Sequence, residues 1–306
     1  MGIVVMGAVF VDIKGYPTQQ YIPSGRNMGY VEQVHGGVSR NIAEDIANLD
    51  LHPCFISLVD QTAAGDEVIR KLTRSGADTR FMRHTQDGMG TWLAIFDNDG
   101  DVVAAISKRP ELEPILDILN ESGDEIFSEC DSILVEIDMS PEVVQKTFEY
   151  AKKYGKKVFA PVSNMTIASQ RRDLIKETDC FVCNLQEAGI FFSEDFEGFE
   201  PVKMQEVLFR KVQEAHIQRM VVTMGGQGSV YASMDGESGY CPALKVPVKD
   251  TTGAGDAFFA GVAVGLTYGK TLAQSCSIGT RLAASVISSV ENVCPRFLPG
   301  EFGIGN

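Results

Sequence analysis

Apolar positions along the chain fall into two spacings that alternate from end to end. Residues 2–11, GIVVMGAVFV, form an unbroken run rich in Val, the pattern of a strand buried on both faces of a parallel sheet, and the run stops at Asp12. Shorter runs of the same kind occupy 53–59, 132–137, 157–160, 180–182 and 220–223. Between them the spacing changes to three and four. Val38, Ile42, Ile46 and Leu49 make one helical stripe, and Val68, Ile69 and Leu72 make another within 64–75. Further helices are expected from 112 to Phe127, over 141–154 and 169–176, through 214, and over 271–288. Strands alternating with helices in this way predict an α/β protein: a central, mostly parallel sheet covered by helices on both faces, in three layers.

Two stretches break the rhythm. Residues 14–34 are polar, punctuated by Gly and Pro, with short β-like pieces, and residues 88–107 alternate around an Asp99-Gly100 hairpin signal. Together they predict a small sheet standing off the main body as a flap or lid. No low-complexity linker or repeat divides the chain, so residues 1–306 parse as one domain with lid strands inserted at about 14–34 and 88–108.

The stretch with the most chemistry is DTTGAGDAFFAGV at 250–262. The apolar run from Ala257 to Val264 has no polar face and predicts a buried helix, which places Gly253 and Gly255 at its N-terminus. Unpaired N–H groups and the positive end of the helix dipole suit that place to an anion, and glycines allow close approach. Asp256 falls in the first turn. It reads either as an ordinary helix-start acid or as a base taking a proton from an alcohol that attacks phosphorus. No Lys-Ser or Lys-Thr follows the glycines, so this is not a Walker loop.

Composition narrows the classes. The hydrophobic content of 44% and charged content of 22% are those of an ordinary globular protein, and the net charge of −14 argues against a nucleic-acid polymer as partner. No apolar run approaches the ~20 residues of a membrane span, and the apolar N-terminus lacks the basic flank of a signal peptide. Seven cysteines at scattered spacings point to reduced thiols and a cytoplasmic location. The CxxC pair Cys180 and Cys183 lies on an expected strand with no second metal half-site, so both read as core residues.

DTTGAGDAFFAG resembles the second signature of the ribokinase/PfkB family of carbohydrate and nucleoside kinases, and GGVSRNIAEDIANL at 36–49 resembles its first. The resemblance covers nearly the whole chain and implies a ribokinase-like fold and ATP-dependent phosphorylation of a primary hydroxyl. It implies that Gly253, Ala254 and Gly255 cradle the transferring phosphoryl group while Asp256 activates the hydroxyl. Asp12, Gly36, Gly37 and Asn41 inherit contacts to sugar hydroxyls, with Lys14 and Asn27 on the same substrate side. Asn184 and Glu187 form the family's Asn-x-x-Glu motif, although three apart at a helix start they also read as a capping box. In the family they help place Mg²⁺, here through water, and phosphates. Thr223, Gly225 and Gly228 in VVTMGGQG, and Asn292 in SVENVCP, inherit contacts to ATP. Asp250 and Thr252 inherit a monovalent cation, expected to be K⁺. The lid implies a homodimer. Within the family, VDIKGYP, Ser24, Asn27, Gly29 and PVSN at 161–164 are most similar to pseudouridine kinases, while Arg26, Met28 and Ala160 depart from them. The alternative is another sugar or nucleoside kinase of the family, such as a ribokinase or fructokinase.

Overall fold

The computed structural model describes residues 2–305. In chain order the strands are β1 (Val4–Met6), β2 (Val9–Pro17), β3 (Gly29–Gly36), β4 (Cys54–Asp60), β5 (Met82–Thr85), β6 (Met89–Phe96), β7 (Val102–Lys108), β8 (Ser132–Val135), β9 (Lys157–Phe159), β10 (Phe181–Asn184), β11 (Arg219–Thr223), β12 (Ser229–Ser233) and β13 (Ser238–Cys241). The helices are α1 (Val38–Asn48), α2 (Ala63–Ser75), α3 (Ile115–Glu129), α4 (Pro141–Tyr154), α5 (Met165–Ala168), α6 (Arg172–Lys176), α7 (Leu185–Phe192), α8 (Pro201–Ala215), α9 (Ala254–Thr267) and α10 (Leu272–Ile287).

The main sheet runs β5-β4-β1-β8-β9, and an isolated parallel bridge from Phe159 to Cys180 joins it to β10-β11-β12-β13. Alternate residues of β1 enter opposite cores. Val4 and Met6 pack with Ile118, Val143 and Leu208 of α3, α4 and α8. Ile3 and Val5 pack with Ile42, Ala260 and Val264 of α1 and α9. That division is the three-layer arrangement expected of a parallel sheet with period-2 side chains. Helix α9 is buried from Ala257 to Leu266. It can lie so close to α10 because glycines meet at the crossing: a Cβ on Gly261 would stand 2.6 Å from the Gly279 Cα, and one on Gly265 would meet Ser275.

Several expectations need correction. The run 2–11 is two strands. The chain breaks at Gly7, where a Cβ would collide with Ser39 Oγ and Glu136 Oε1, and resumes as β2, which carries Asp12 along its length rather than at its end. The strand at 220–223 does not close the series, because β12 and β13 follow it antiparallel. The expected helix over 169–176 is a 3-10 turn at Ser169–Arg171 followed by the short α6, with α5 ahead of it. The strand expected from Cys180 starts one residue later and ends at Asn184.

A second sheet, β3-β2-β6-β7, stands on the first. Strand β2 is its central member, antiparallel to β3 and parallel to β6. One face carries Asp12, Lys14 and Tyr16 from β2 with Trp92, Ala94 and Phe96 opposite them. The other face carries Val31, Leu93, Ile95 and Ile106, with Val31 and Ile106 about 70% exposed at 70% and 71%.

Candidate active site

Gly253 is the N-cap of α9 and has φ +80°, a left-handed conformation that favours glycine. A Cβ there would lie 2.0 Å from the Asn292 carbonyl oxygen, so the 289–294 loop presses directly on this turn. The Ala254 amide donates to the Thr251 carbonyl at 3.2 Å, which corrects the expectation that it is free for a ligand. The helix start leaves the Gly255 and Asp256 amides pointing outward. Nothing lies within 4 Å of a Cβ placed on Gly255, so there is room above it for an anion.

Asp256, the next residue, is partly open to solvent, with its carboxyl set among protein groups. Burial pushes its pKa up to about 7, against a hydrogen bond from Asn41 and the positive charge of Arg40, while Asp12 and Glu187 add to the upward push. Those two acids mark the ends of the site: Asp12 on the second sheet and Glu187 at the start of α7 both act on the carboxyl between them. A carboxyl poised near neutrality can accept a proton at working pH.

The hydrogen bond that holds Asp256 comes from Asn41 Nδ2 to Oδ2 at 2.8 Å. The Asn41 amide is itself fixed, because its Oδ1 accepts from Arg40 Nη1 at 2.9 Å and from Asn292 Nδ2 at 3.3 Å. Arg40 is fully buried, paired with Glu44 one turn on, and donates to the His35 carbonyl at 3.3 Å. Asn292 Nδ2 also donates to the His35 carbonyl, at 3.0 Å. Its Nδ2 therefore belongs to the network behind Asp256. Nothing in the apolar stripe of α1 signals that its polar residues 39–45 are buried too.

On the second sheet, Asp12 is half-buried and burial raises its pKa, opposed by Lys14 and Arg40. Gly36 lets the Asp12 carboxyl pack directly against the backbone, and Gly37 packs on the β1–β2 connection. A Cβ on Gly36 would stand 2.6 Å from Asp12 Oδ2, and Gly37, at φ +105°, would meet the Ala8 carbonyl oxygen. Lys14 lies near enough to act on Asp12 and on Asp250. Asn27 does not join this group. Its Oδ1 accepts from the Ile22 amide at 2.7 Å and its Nδ2 donates to the Ile22 carbonyl at 3.0 Å, so its amide holds the 22–27 turn at the sheet's tip. Glu136, reached by the Ala8 and Ser39 amides at 3.3 and 3.0 Å, is a buried acid at the end of β8, its pKa raised by burial and by Asp138.

Asn184 and Thr223 are register partners at the ends of β10 and β11. Asn184 and Glu187 form a reciprocal capping box, each backbone N–H donating to the other's side chain at 2.8 Å. The oxygen of Glu187 that accepts from the Asn184 amide is Oε2. Among the described residues no group of three or more His, Cys, Asp or Glu is placed to hold a metal ion. Gly225 and Gly228 shape the β11–β12 turn at φ +56° and +102°; a Cβ on Gly228 would strike the Cys241 carbonyl oxygen, whereas Gly225 faces open space. Asp250 and Thr252 are exposed, and Asp250 Oδ1 accepts from the Thr252 amide at 2.8 Å. Cys180 and Cys183 are buried free thiols whose pKa values are raised by burial.

No helix of the described residues is long and apolar enough to cross a membrane. The model of the pfkB family of carbohydrate kinases matches residues 2–293. A guanosine-inosine kinase of Exiguobacterium acetylicum is 30% identical over 294 residues, covering 95% of each chain. A pseudouridine kinase of Escherichia coli (strain K12) is 26% identical over 283 residues, covering 90% of this chain and 88% of that one. Among solved structures, the ribokinase of Arabidopsis thaliana complexed with ribose and ATP matches with a TM-score of 0.82 at 20% identity, over 98% of this chain and 97% of that one, a likeness of fold. With a buried helix α9 presenting Gly255 and Asp256 at its start, and a family match over nearly its whole length, the chain belongs to the pfkB carbohydrate kinases, which transfer phosphate to a hydroxyl group.

Proposed function

We propose that the protein transfers the γ-phosphoryl group of ATP to a primary hydroxyl of a sugar or nucleoside. One observation carries this reading: Asp256 lies in the first turn of α9, next to Gly255 with its open space, and has a pKa near neutrality. Asp256 takes the hydroxyl proton as the oxygen attacks phosphorus in line. The outward amides at the helix start stabilise charge on the equatorial oxygens. Asp12, packed against Gly36, accepts hydrogen bonds from sugar hydroxyls. ATP lies along Asn184, Thr223 and Gly225, and Mg²⁺, held by its phosphates and through water by Glu187, neutralises charge there. A monovalent cation at Asp250 and Thr252, K⁺ by preference, orders the turn before Gly253. The location is cytoplasmic.

Pseudouridine is the first acceptor to test, from the resemblance of VDIKGYP and PVSN and the 26% identical relative. Guanosine and inosine are the second reading, favoured by the 30% identical relative. The apolar outer face of the second sheet, with Val31, Leu93, Ile95 and Ile106 exposed, supports pairing of two copies through that sheet. The deciding experiment is a phosphorylation screen with ATP and pseudouridine, uridine, inosine, guanosine, ribose and fructose phosphates. Transfer to a primary hydroxyl of any of these supports the kinase reading and ranks the acceptors. ATP hydrolysis that no acceptor stimulates counts against it.

A further inference from the structure

Asp12 has an aromatic neighbour for which phosphotransfer alone has no use. Asp12 and Trp92 are register partners on the parallel strands β2 and β6, so their side chains leave the sheet on the same face. From Trp92 that face continues as a row of rings. Trp92 meets Phe96 edge-on with centroids 6.3 Å apart. Phe96 stacks on Tyr16 at 4.7 Å, and Tyr16 on Tyr30 at 5.2 Å. The row follows from register, because Tyr16 lies two pleats beyond Asp12 on β2 and pairs with Tyr30 of β3. None of the four rings belongs to either hydrophobic core or packs against one among the described residues. All four keep solvent contact, and Tyr30 is 51% exposed. Between Trp92 and Phe96 on that face, β6 carries only the small, fully buried Ala94, so the two rings meet across it.

A free sugar cannot use this row. At a rise of ~3.3 Å per residue, Tyr16 lies about 13 Å along β2 from Asp12, beyond the span of one sugar ring held by that carboxylate. A sugar bonded to Asp12 reaches the Trp92 end alone. A planar heteroaromatic group joined to the sugar would lie along the row, and stacking suits it because every nucleobase presents a π-face. We propose that the row is the base-stacking surface of the acceptor site, that Trp92 contacts the base with Phe96 and Tyr16 bracing it, and that the acceptor is a nucleoside rather than a free sugar. This inference rests on the reading of Asp12 as the ligand of the sugar hydroxyls. Trp92 and its braces then choose the substrate class without touching the reacting atoms.

Trp92 is the chain's single tryptophan, so its fluorescence reports on this surface without any turnover. The test is a titration of the wild-type protein, without ATP, with inosine, pseudouridine and ribose, and with free N-acetyl-tryptophanamide run in parallel to correct for absorption. Both nucleosides should perturb the Trp92 emission saturably and ribose should not. The second arm compares kcat/KM for nucleoside and for ribose in wild type, Trp92→Ala and Trp92→Phe, with Tm measured for each. Trp92→Ala should lower the nucleoside-to-ribose ratio by ~5–150-fold, the weight of one base–aromatic stack, and Trp92→Phe should restore most of it. A nucleoside phosphorylated with no change in Trp92 emission, and with the same ratio in Trp92→Ala, would overturn the proposal and leave the kinase reading standing. Ribose perturbing Trp92 as strongly as the nucleosides would also overturn it. Saturable nucleoside perturbation with no phosphoryl transfer to any acceptor would support the stacking surface and remove the kinase reading instead.

Discussion

Replacing Asn41 by Ala separates the setting of the base from its presence. The substitution removes the 2.8 Å hydrogen bond that Asn41 Nδ2 gives to Asp256 Oδ2 and leaves the carboxyl in place. Hydrogen bonds to charged groups contribute ~1.5–3 kcal/mol, and one pKa unit corresponds to ~1.4 kcal/mol. A bond that favours the ionised carboxylate therefore lowers its pKa by about one to two units. Without it, Asp256 should titrate one to two units above its present value of about 7. The ionised fraction at pH 7 would fall from about a half to between a tenth and a hundredth, so kcat should drop ~5–50-fold there and recover as pH rises. Arg40 and Asn292 would lose their acceptor on Asn41 as well, so some loss of Tm is expected. The assay is kcat against pH at saturating ATP and acceptor, which removes any effect on sugar affinity. If the acid limb of the variant coincides with that of wild type, the Asn41 bond does not set the base, and the reasoning from this geometry fails.

Three further outcomes follow from the same contacts. Asp12→Ala should raise KM for the acceptor strongly and leave KM for ATP nearly unchanged; equal changes in both would remove Asp12 as a sugar ligand. Potassium, exchanged for a bulky organic cation at constant ionic strength, should raise kcat at saturating substrates, and no change would rule out a cation at Asp250 and Thr252. The third concerns Asp45, which is fully buried with its Oδ2 unpartnered, its Oδ1 accepting from the Cys294 amide at 2.6 Å, and its pKa held well above the usual carboxylate range by burial. The folded protein binds that proton more tightly than the unfolded chain does. Its stabilising effect is complete below the unfolded pKa of ~3.9 and is lost as pH rises through the folded value. Asp45→Asn should therefore lose less Tm between pH 5 and pH 8 than wild type does, and identical slopes would refute the assignment.

The elements that were legible in the chain are those whose signal is local. The helix at 141–154 is bounded by Pro141 at its start and Gly155 in a left-handed conformation at its end, and the pattern located both limits. Gly37 and Gly253 were legible as glycines, and both have positive φ, but the atoms that exclude a Cβ there come from Ala8 and Asn292 elsewhere in the chain. What composition could not show is where long-range packing sends a side chain. Asn292 is 251 residues from Asn41, and only the folded chain brings its amide there. Asn27 resembles a ligand in sequence yet holds its own turn, because an amide next to a tight loop finds backbone partners first. The apolar run at 2–11 concealed a break because Gly7 and Ala8 are themselves apolar, while the groups that crowd Gly7, Ser39 and Glu136, come from elsewhere in the chain. The row from Trp92 to Tyr30 was invisible as a unit because its rings come from three strands aligned by pairing.

The most direct test of Asp256 as the base is the kcat of Asp256→Asn with saturating ATP, Mg²⁺ and the best acceptor of the screen. Asn keeps the shape of the side chain and can still face Asn41, so the fold and the affinity for ATP should persist. The mechanism predicts a fall in kcat of ~10²–10⁴, the usual weight of a general base. A folded variant that binds ATP and turns over within tenfold of wild type would contradict it.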